Sequence, residues 1–271
     1  MRDLKEIRAK IKAEFSAKNI SLFDADCILS EVLKTPINNL IMLKNITRYN
    51  AFKINHYVKK RIKGEPITKM FKKAYFYGYE FYVNKNVLSP RQDTELLVEY
   101  CEKNINKNLK ILDLCAGSGA IAISLNKLGF KNVVASDISK KALKVAKKNN
   151  KLLNTNVTFI KSDMFNEITE KFDVIVSNPP YIESEDVKRL DIEVKKYDPK
   201  LALDGGVDGL MFYKHIINNL NKYLNENGLV VLEIGYNQAK DVCNLLKEKG
   251  YNSFVIKDYN NLDRVIVGKR S

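Results

Sequence analysis

Lys110-Ile111-Leu112-Asp113-Leu114-Cys115-Ala116-Gly117-Ser118-Gly119-Ala120-Ile121-Ala122-Ile123 decides the fold of this chain. An apolar run ends in a loop of small residues and passes straight into an Ala/Ile/Leu segment, which reads as strand, tight loop, helix. Small residues let a backbone approach a ligand closely, and a helix N-terminus presents N–H groups with no intrahelical partner. The spacing is D-x-x-x-G-x-G rather than the dinucleotide fingerprint G-x-G-x-x-G. A carboxylate ahead of the loop would repel a pyrophosphate but attract an ammonium group, directly or through water.

Three further strands follow, and each ends in polar chemistry. Asn132-Val133-Val134-Ala135-Ser136-Asp137 closes on an acid 18 residues after Gly119, about where a βαβ unit places the carboxylate that binds ribose hydroxyls. Val157 to Phe165 carries Asp163, placed to accept from an adenine amino group, with Met164 and Phe165 expected against the ring. Phe172-Asp173-Val174-Ile175-Val176-Ser177 runs into Asn178-Pro179-Pro180-Tyr181. Parallel sheets bind ligands at the carboxyl ends of their strands. The acid before the loop favours S-adenosylmethionine over NAD. The expected cofactor contacts are Asp113, Cys115, Ala116, Gly117, Ser118, Gly119, Asp137, Asp163, Met164 and Asn178.

Asn-Pro-Pro-Tyr makes a clamp for a planar NH2 group. Consecutive prolines fix φ near −65°, remove two backbone donors and keep the preceding residue out of the helical region. The stiff turn leaves carbonyls able to accept hydrogen bonds, Asn178 adds an amide oxygen, and Tyr181 can cover a flat group. Asn178, Pro179 and Tyr181 are therefore the expected catalytic residues, and together with Pro180 they are the expected acceptor site. A carboxamide nitrogen is a poor nucleophile because its lone pair is delocalised into the carbonyl. Acceptors for its two N–H groups strengthen as charge builds on nitrogen, which favours the transition state over the ground state. No residue reads as an obvious strong base, and the expectation is that the proton leaves to water.

Taken together, these motifs resemble a class I S-adenosylmethionine-dependent methyltransferase of the amino-methylating group. The rest of the chain resembles the PrmC/HemK family, the glutamine N5-methyltransferases of class-I peptide-chain release factors. Three blocks in family order carry the likeness: Gly64-Glu65-Pro66 through Gly78-Tyr79-Glu80-Phe81 to Leu88-Ser89-Pro90-Arg91-Gln92-Asp93-Thr94-Glu95; Tyr197 through Asp208-Gly209-Leu210; and Glu233-Ile234-Gly235-Tyr236-Asn237-Gln238 with Asp263-Arg264-Val265. Two positions depart from the family pattern. Cys115 stands where the first loop glycine is usual, and Gln92-Asp93 replaces the commoner Pro-Glu. A positive φ at Cys115 would weaken cofactor binding. The resemblance implies a Rossmann-like, seven-strand α/β domain whose last strand is antiparallel. It also implies methyl transfer to the glutamine amide of the GGQ motif, and release factors as protein partners.

Length and composition accommodate that reading. The 271 residues suffice for one α/β domain plus a smaller module, and no stretch approaches the ~20 apolar residues of a membrane span. Met1 to Phe15 is charged from the start and reads as lacking the apolar core of a secretory signal. Four cysteines without C-x-x-C spacing, and two isolated histidines, argue for free thiols in a reducing cytoplasm and no metal site. Residues 1–73 read as a helical docking domain, 74–90 as a β-hairpin linker, and 91–271 as the methyltransferase domain. Leu4, Ile7, Ile11 and Phe15 recur at helical spacing, Ser21 looks like an N-cap for a second helix, and Asn50 to Lys63 suits a third.

Residues 1–75 carry 17 Lys/Arg against 7 Asp/Glu, whereas the remainder carries 29 against 25. A basic module attracts acidic proteins or polynucleotides. The rival reading is thus an adenine N6- or guanine N2-methyltransferase of DNA or RNA, since the same clamp holds any planar NH2. A third is a methyltransferase-like binding module without catalysis. No target-recognition insertion is visible for flipping a base from a duplex, so the expectation is a monomer acting on protein, with no stable nucleic-acid partner.

Overall fold

Apolar side chains alternate along the central strands and give the sheet two faces, each of which needs a covering layer. Ile111, Val133, Ala135, Val174, Val176, Val231, Val265 and Val267 fall in one core cluster. Leu112, Leu114, Val134, Ile175, Val230, Leu232 and Ile266 fall in the other. The computed structural model, which describes residues 1–270, realises this as a sheet with helices packed on both sides.

Seven strands make that sheet: β1 (Lys110–Leu114), β2 (Asn132–Asp137), β3 (Thr158–Lys161), β4 (Phe172–Ser177), β5 (Leu224–Glu233), β6 (Tyr251–Lys257) and β7 (Asp263–Arg270). Their spatial order is β6-β7-β5-β4-β1-β2-β3. The pairs among β1 to β5 are parallel, while β7 runs antiparallel to both β5 and β6. This is the expected Rossmann-like arrangement with one reversed strand. Leu114 stands opposite both Ser136 and Ser177, so the carboxyl ends of β1, β2 and β4 finish at the same level.

Helices Glu95–Asn104 and Ala120–Lys127 bury Leu97, Cys101, Ile121 and Ile123 on the first face. Helices Met211–Tyr223 and Ala239–Glu248 bury Tyr213, Ile216, Leu220, Val242 and Leu246 on the second. The observed Met211–Tyr223 coincides with the helix the sequence predicts, whereas β5 begins five residues before the expected Leu229.

The chain divides into two compact units, Met1–Lys72 and Lys73–Ser271. In the first, helices Leu4–Ser16, Leu22–Leu33 and Arg48–Ile62 enclose Phe15, Ala25, Ile28, Leu29, Ile54 and Val58. Asp3 caps the first helix through the Glu6 N–H and Thr47 caps the third through the Asn50 N–H. Ser21 stands at the expected N-cap of the second helix but makes no side-chain cap bond. The hairpin strands Lys73–Phe76 and Tyr79–Tyr82, turning at Gly78 with φ +77°, belong to the second unit.

Candidate active site

Where β1 to β4 end, their carboxyl edges border a cavity of about 440 Å³. Cys115, Ala116, Gly117, Ser118, Asp137, Asp163, Met164, Asn178 and Pro180 all line it, so segments far apart in sequence converge as the strand-end pattern predicts. The loop between β1 and its helix is tied to β2 by the Ala116 N–H on the Ser136 carbonyl (2.9 Å). Asp137 then holds it by its own carboxylate: one oxygen accepts the Gly117 N–H at 2.8 Å and the other the Ser139 N–H at 2.7 Å. Burial pushes the Asp137 pKa up, against the opposing pull of those two N–H groups. Each oxygen keeps a second lone pair, which suits acceptance from a ribose diol.

Two expected cofactor contacts lie elsewhere. Asp113 is fully buried behind the loop, with one oxygen on the Ala122 N–H at 3.1 Å, and it is absent from the cavity wall. Strand alternation explains this, because Asp113 shares its face with Ile111 and points into the helix layer. Burial raises its pKa to about 8. Gly119 also lies outside the lining; at φ +80° its absent Cβ would sit 3.0 Å from Ile123 Cδ1 and 3.1 Å from Ala146 Cβ, so it permits close packing.

Phe165 is a correction as well. It is 2% exposed and stacks on Tyr223 with ring centroids 4.5 Å apart, inside the core rather than against a ligand. The positive φ of +48° at Met164 turns the chain there, leaving Met164 at the cavity and Phe165 inside. Cys115 has φ +62°, the left-handed conformation that a glycine adopts without penalty. Its Sγ lies 3.9 Å from Met164 Sδ, so the two strained residues pack on each other.

A second cavity of about 170 Å³ adjoins the first and shares Leu88, Arg91, Asn178 and Ala202 with it. Pro179, Tyr181, Ile182, Leu190, Val194, Leu203 and Glu233 complete its wall. The two prolines thus divide, with Pro180 on the larger cavity and Pro179 on the smaller. Asn178 belongs to both. Its Nδ2 donates to Thr94 Oγ1 at 3.1 Å, which leaves the amide oxygen as the acceptor toward a ligand.

The turn is clamped from two later segments. Gln238 Nε2 donates to the Tyr181 carbonyl at 3.0 Å and to the Gly209 carbonyl at 3.3 Å, and the Gly235 N–H returns a bond to Gln238 Oε1 at 2.9 Å. Ile182 pairs with the Leu203–Gly205 stretch through 3.0 and 2.8 Å backbone bonds. A Cβ on Gly205 would fall 2.7 Å from Tyr181 Cα, and one on Gly209 would fall 2.5 Å from the Tyr181 carbonyl oxygen. These two glycines are small so that the Tyr181 backbone can lie against them. Arg91 reaches Asp198 at 3.3 Å, joining two segments that border the larger cavity.

Two residues around the junction of the cavities, Thr94 on the larger and Glu233 on the smaller, escaped the sequence reading. Thr94 orients Asn178 from 84 positions away. Glu233, 2% exposed, ends β5 and receives the Tyr181 hydroxyl at 3.5 Å. Burial raises the Glu233 pKa to about 7, while Thr94, Arg264 and Tyr181 favour its ionised form and Asp93 opposes it. The signal for Glu233 was an acid at the end of an apolar strand, the same pattern that marks Asp137. Among the described residues no group of three or more His, Cys, Asp or Glu could hold a metal ion. No described helix is long and apolar enough to cross a membrane.

Comparison with known proteins bears on this geometry. A family profile described as "Methyltransferase small domain" matches residues 79–194. A protein of Thermodesulfovibrio yellowstonii named "Release factor glutamine methyltransferase" is 40% identical over 271 residues, spanning 97% of each chain. One of the same name from Clostridium acetobutylicum is 39% identical over 91% of this chain and 90% of its own. Among solved structures, the ribosomal protein L11 methylase of Lactobacillus delbrueckii subsp. bulgaricus superposes with a TM-score of 0.51 at 25% identity, covering 67% of this chain and 81% of that one.

Proposed function

This chain belongs to the release factor glutamine methyltransferase family, and we propose that its smaller cavity receives the acceptor glutamine side chain while its larger cavity holds S-adenosylmethionine. The observation that carries the reading is Asn178 at the junction of the two cavities, with its Nδ2 engaged by Thr94 and its amide oxygen available. The larger cavity fits the donor: a carboxylate with spare lone pairs for a diol at Asp137, apolar Ile138 and Met164 for a flat ring, and a volume within the ~300–1,000 Å³ of small-molecule sites. Bound there, S-adenosylmethionine supplies an electrophilic methyl group on a sulfonium centre.

The chain's own residues then do three things. Asn178 Oδ1 and the Pro179 carbonyl accept the two N–H groups of a glutamine amide, and both bonds strengthen as nitrogen gains positive character. Tyr181, its main chain held by Gln238 and its hydroxyl by Glu233, lies along the amide plane. The rigid turn holds nitrogen within about 3–3.5 Å of the entering methyl, and such positioning supplies a large share of the acceleration. The substrate is a class-I peptide-chain release factor and the acceptor is the glutamine of its GGQ motif. The family likeness supports this assignment over a base-methylating enzyme. The finer picture is a cytoplasmic monomer without a stable nucleic-acid partner. Four free cysteines support a reducing compartment.

The test is methyl transfer from labelled S-adenosylmethionine to a purified class-I release factor, beside the same factor with the GGQ glutamine replaced and a DNA and RNA panel. Label that requires the glutamine is the expected result. Label on nucleic acid alone would overturn the acceptor assignment.

A further inference from the structure

Glu233 is a carboxyl group in an unusual position. It ends β5, lines the smaller cavity beside Asn178, Pro179 and Tyr181, and is 2% exposed. Its Oε1 takes the Tyr181 hydroxyl at 3.5 Å, whereas its Oε2 is buried with no hydrogen-bond partner among the described residues. A desolvated carboxyl oxygen without a donor is costly to the fold, and such groups concentrate where chemistry uses them. Its backbone is fixed too, since the Tyr213 hydroxyl donates to the Glu233 carbonyl at 2.8 Å.

Methylating a primary amide releases a proton. The nitrogen–methyl bond forms, the methyl–sulfur bond of the donor breaks with its electron pair staying on sulfur, and the nitrogen must shed one hydrogen as H⁺ to end neutral. Of the residues that line the smaller cavity, Glu233 alone carries a carboxyl group to take that proton. We propose that Glu233 is the proton acceptor of this reaction: once the nitrogen–methyl bond has formed, its Oε2 takes one of the two hydrogens that Asn178 Oδ1 and the Pro179 carbonyl held, and later passes it to solvent. The inference rests on the glutamine-methylating reading above. It replaces the sequence-based expectation that the proton leaves directly to water.

The groups facing Glu233 suit the task. Thr94 and Asp93 come from the turn after Arg91, Tyr181 from the proline turn, Tyr213 from its helix and Arg264 from β7, with Arg91 on the same cavity wall. Arg264 is anchored by Asp258 at 3.1 Å and by the Ile234 carbonyl at 3.3 Å, so it acts on Glu233 as a fixed positive charge. Burial, opposed by Thr94 and Arg264, sets the carboxyl near pH 7, where a general base combines ionisation at working pH with appreciable basicity. A raised carboxyl pKa means the base form is lost as pH falls through about 7.

Single-turnover transfer to a release factor, measured from about pH 5.5 to about pH 8.5, tests this with wild type, Glu233→Gln and Glu233→Asp. Glutamine keeps an acceptor for the Tyr181 hydroxyl but cannot take a proton. The expected result is a wild-type rate that falls on acidification through pH 7. Glu233→Gln should be slower by about 100-fold or more with that limb gone, and Glu233→Asp should be intermediate. The dissociation constant for S-adenosylmethionine, measured calorimetrically, should stay within about three-fold in both variants, because Glu233 lies outside the larger cavity. A Glu233→Gln rate within about three-fold of wild type would show that the residue only holds Tyr181. Should that variant fail to fold, the wild-type profile decides, and a profile flat across pH 7 overturns the proposal. A wild type that transfers to nucleic acid but never to the release factor removes the reading itself, and the proposal with it.

Discussion

The two cavities that meet at Asn178 are built in different ways. The larger one is centred on the ends of consecutive strands, with Asp137 pinning the Gly117 and Ser139 N–H groups within one βαβ unit, and residues between 86 and 94, 199 and 202, and 211 and 215 close its sides. The smaller one has no such unit at its centre and is gathered from distant segments: Leu88 and Arg91, the proline turn, Leu190 and Val194, Leu203, and Glu233. A donor common to many enzymes can be held by a generic strand–loop–helix device. A single acceptor side chain needs a wall assembled from the rest of the sequence. Change in one cavity should therefore move binding of the donor, and change in the other should move turnover.

Beyond Asn178 and Glu233 themselves, the largest expected effect lies at the clamp of the smaller cavity. Gly205→Ala would put a methyl group 2.7 Å from Tyr181 Cα, and displacing the turn by about 1 Å should cost about 100-fold in kcat. Dissociation constants for S-adenosylmethionine should change little; an equal loss in both would mean that the cavities are not separable. Asp137→Ala addresses the other side. Losing charge-assisted bonds to a diol, each about 1.5–3 kcal/mol, should weaken donor binding by about 10- to 100-fold, with turnover partly recovered at high donor concentration. An unchanged dissociation constant would remove Asp137 from the ribose role.

The smallest effect concerns strain. Cys115 holds φ +62°, a conformation that costs a non-glycine residue about 1–2 kcal/mol, partly offset by the greater unfolded-state entropy of glycine. Cys115→Gly should raise the melting temperature slightly and tighten donor binding by no more than about five-fold. A loss of affinity would show that the Cys115–Met164 sulfur contact matters more than the strain.

How much of this was legible depends on whether local periodicity or distant packing fixed the residue. β1 to β4, the acids at Asp137 and Asp163, and the proline turn could be read because each lies at a strand end whose apolar run is visible in sequence. The inward turn of Asp113 was also readable in principle, since alternation puts it with Ile111. Cofactor chemistry obscured that geometry. The burial of Phe165 was not readable, because it follows from a left-handed residue at Met164 that no glycine marks. Thr94 and Glu233 owe their roles to partners 84 and 52 positions away, a distance over which periodicity carries no information. Their segments did appear among the blocks that resemble the family, and the structure gives those blocks a physical reason: they hold or line the proline turn.

Asn178→Ala is the most direct test of this account. Calorimetric binding of S-adenosylmethionine and single-turnover methyl transfer to a release factor should be measured on the same preparation. The account predicts a dissociation constant within a few-fold of wild type and a transfer rate lower by about 100-fold or more, because the lost oxygen serves the acceptor in the transition state. A fall in donor affinity as large as the fall in rate would contradict it, placing Asn178 in the donor site and leaving the smaller cavity without its defining residue.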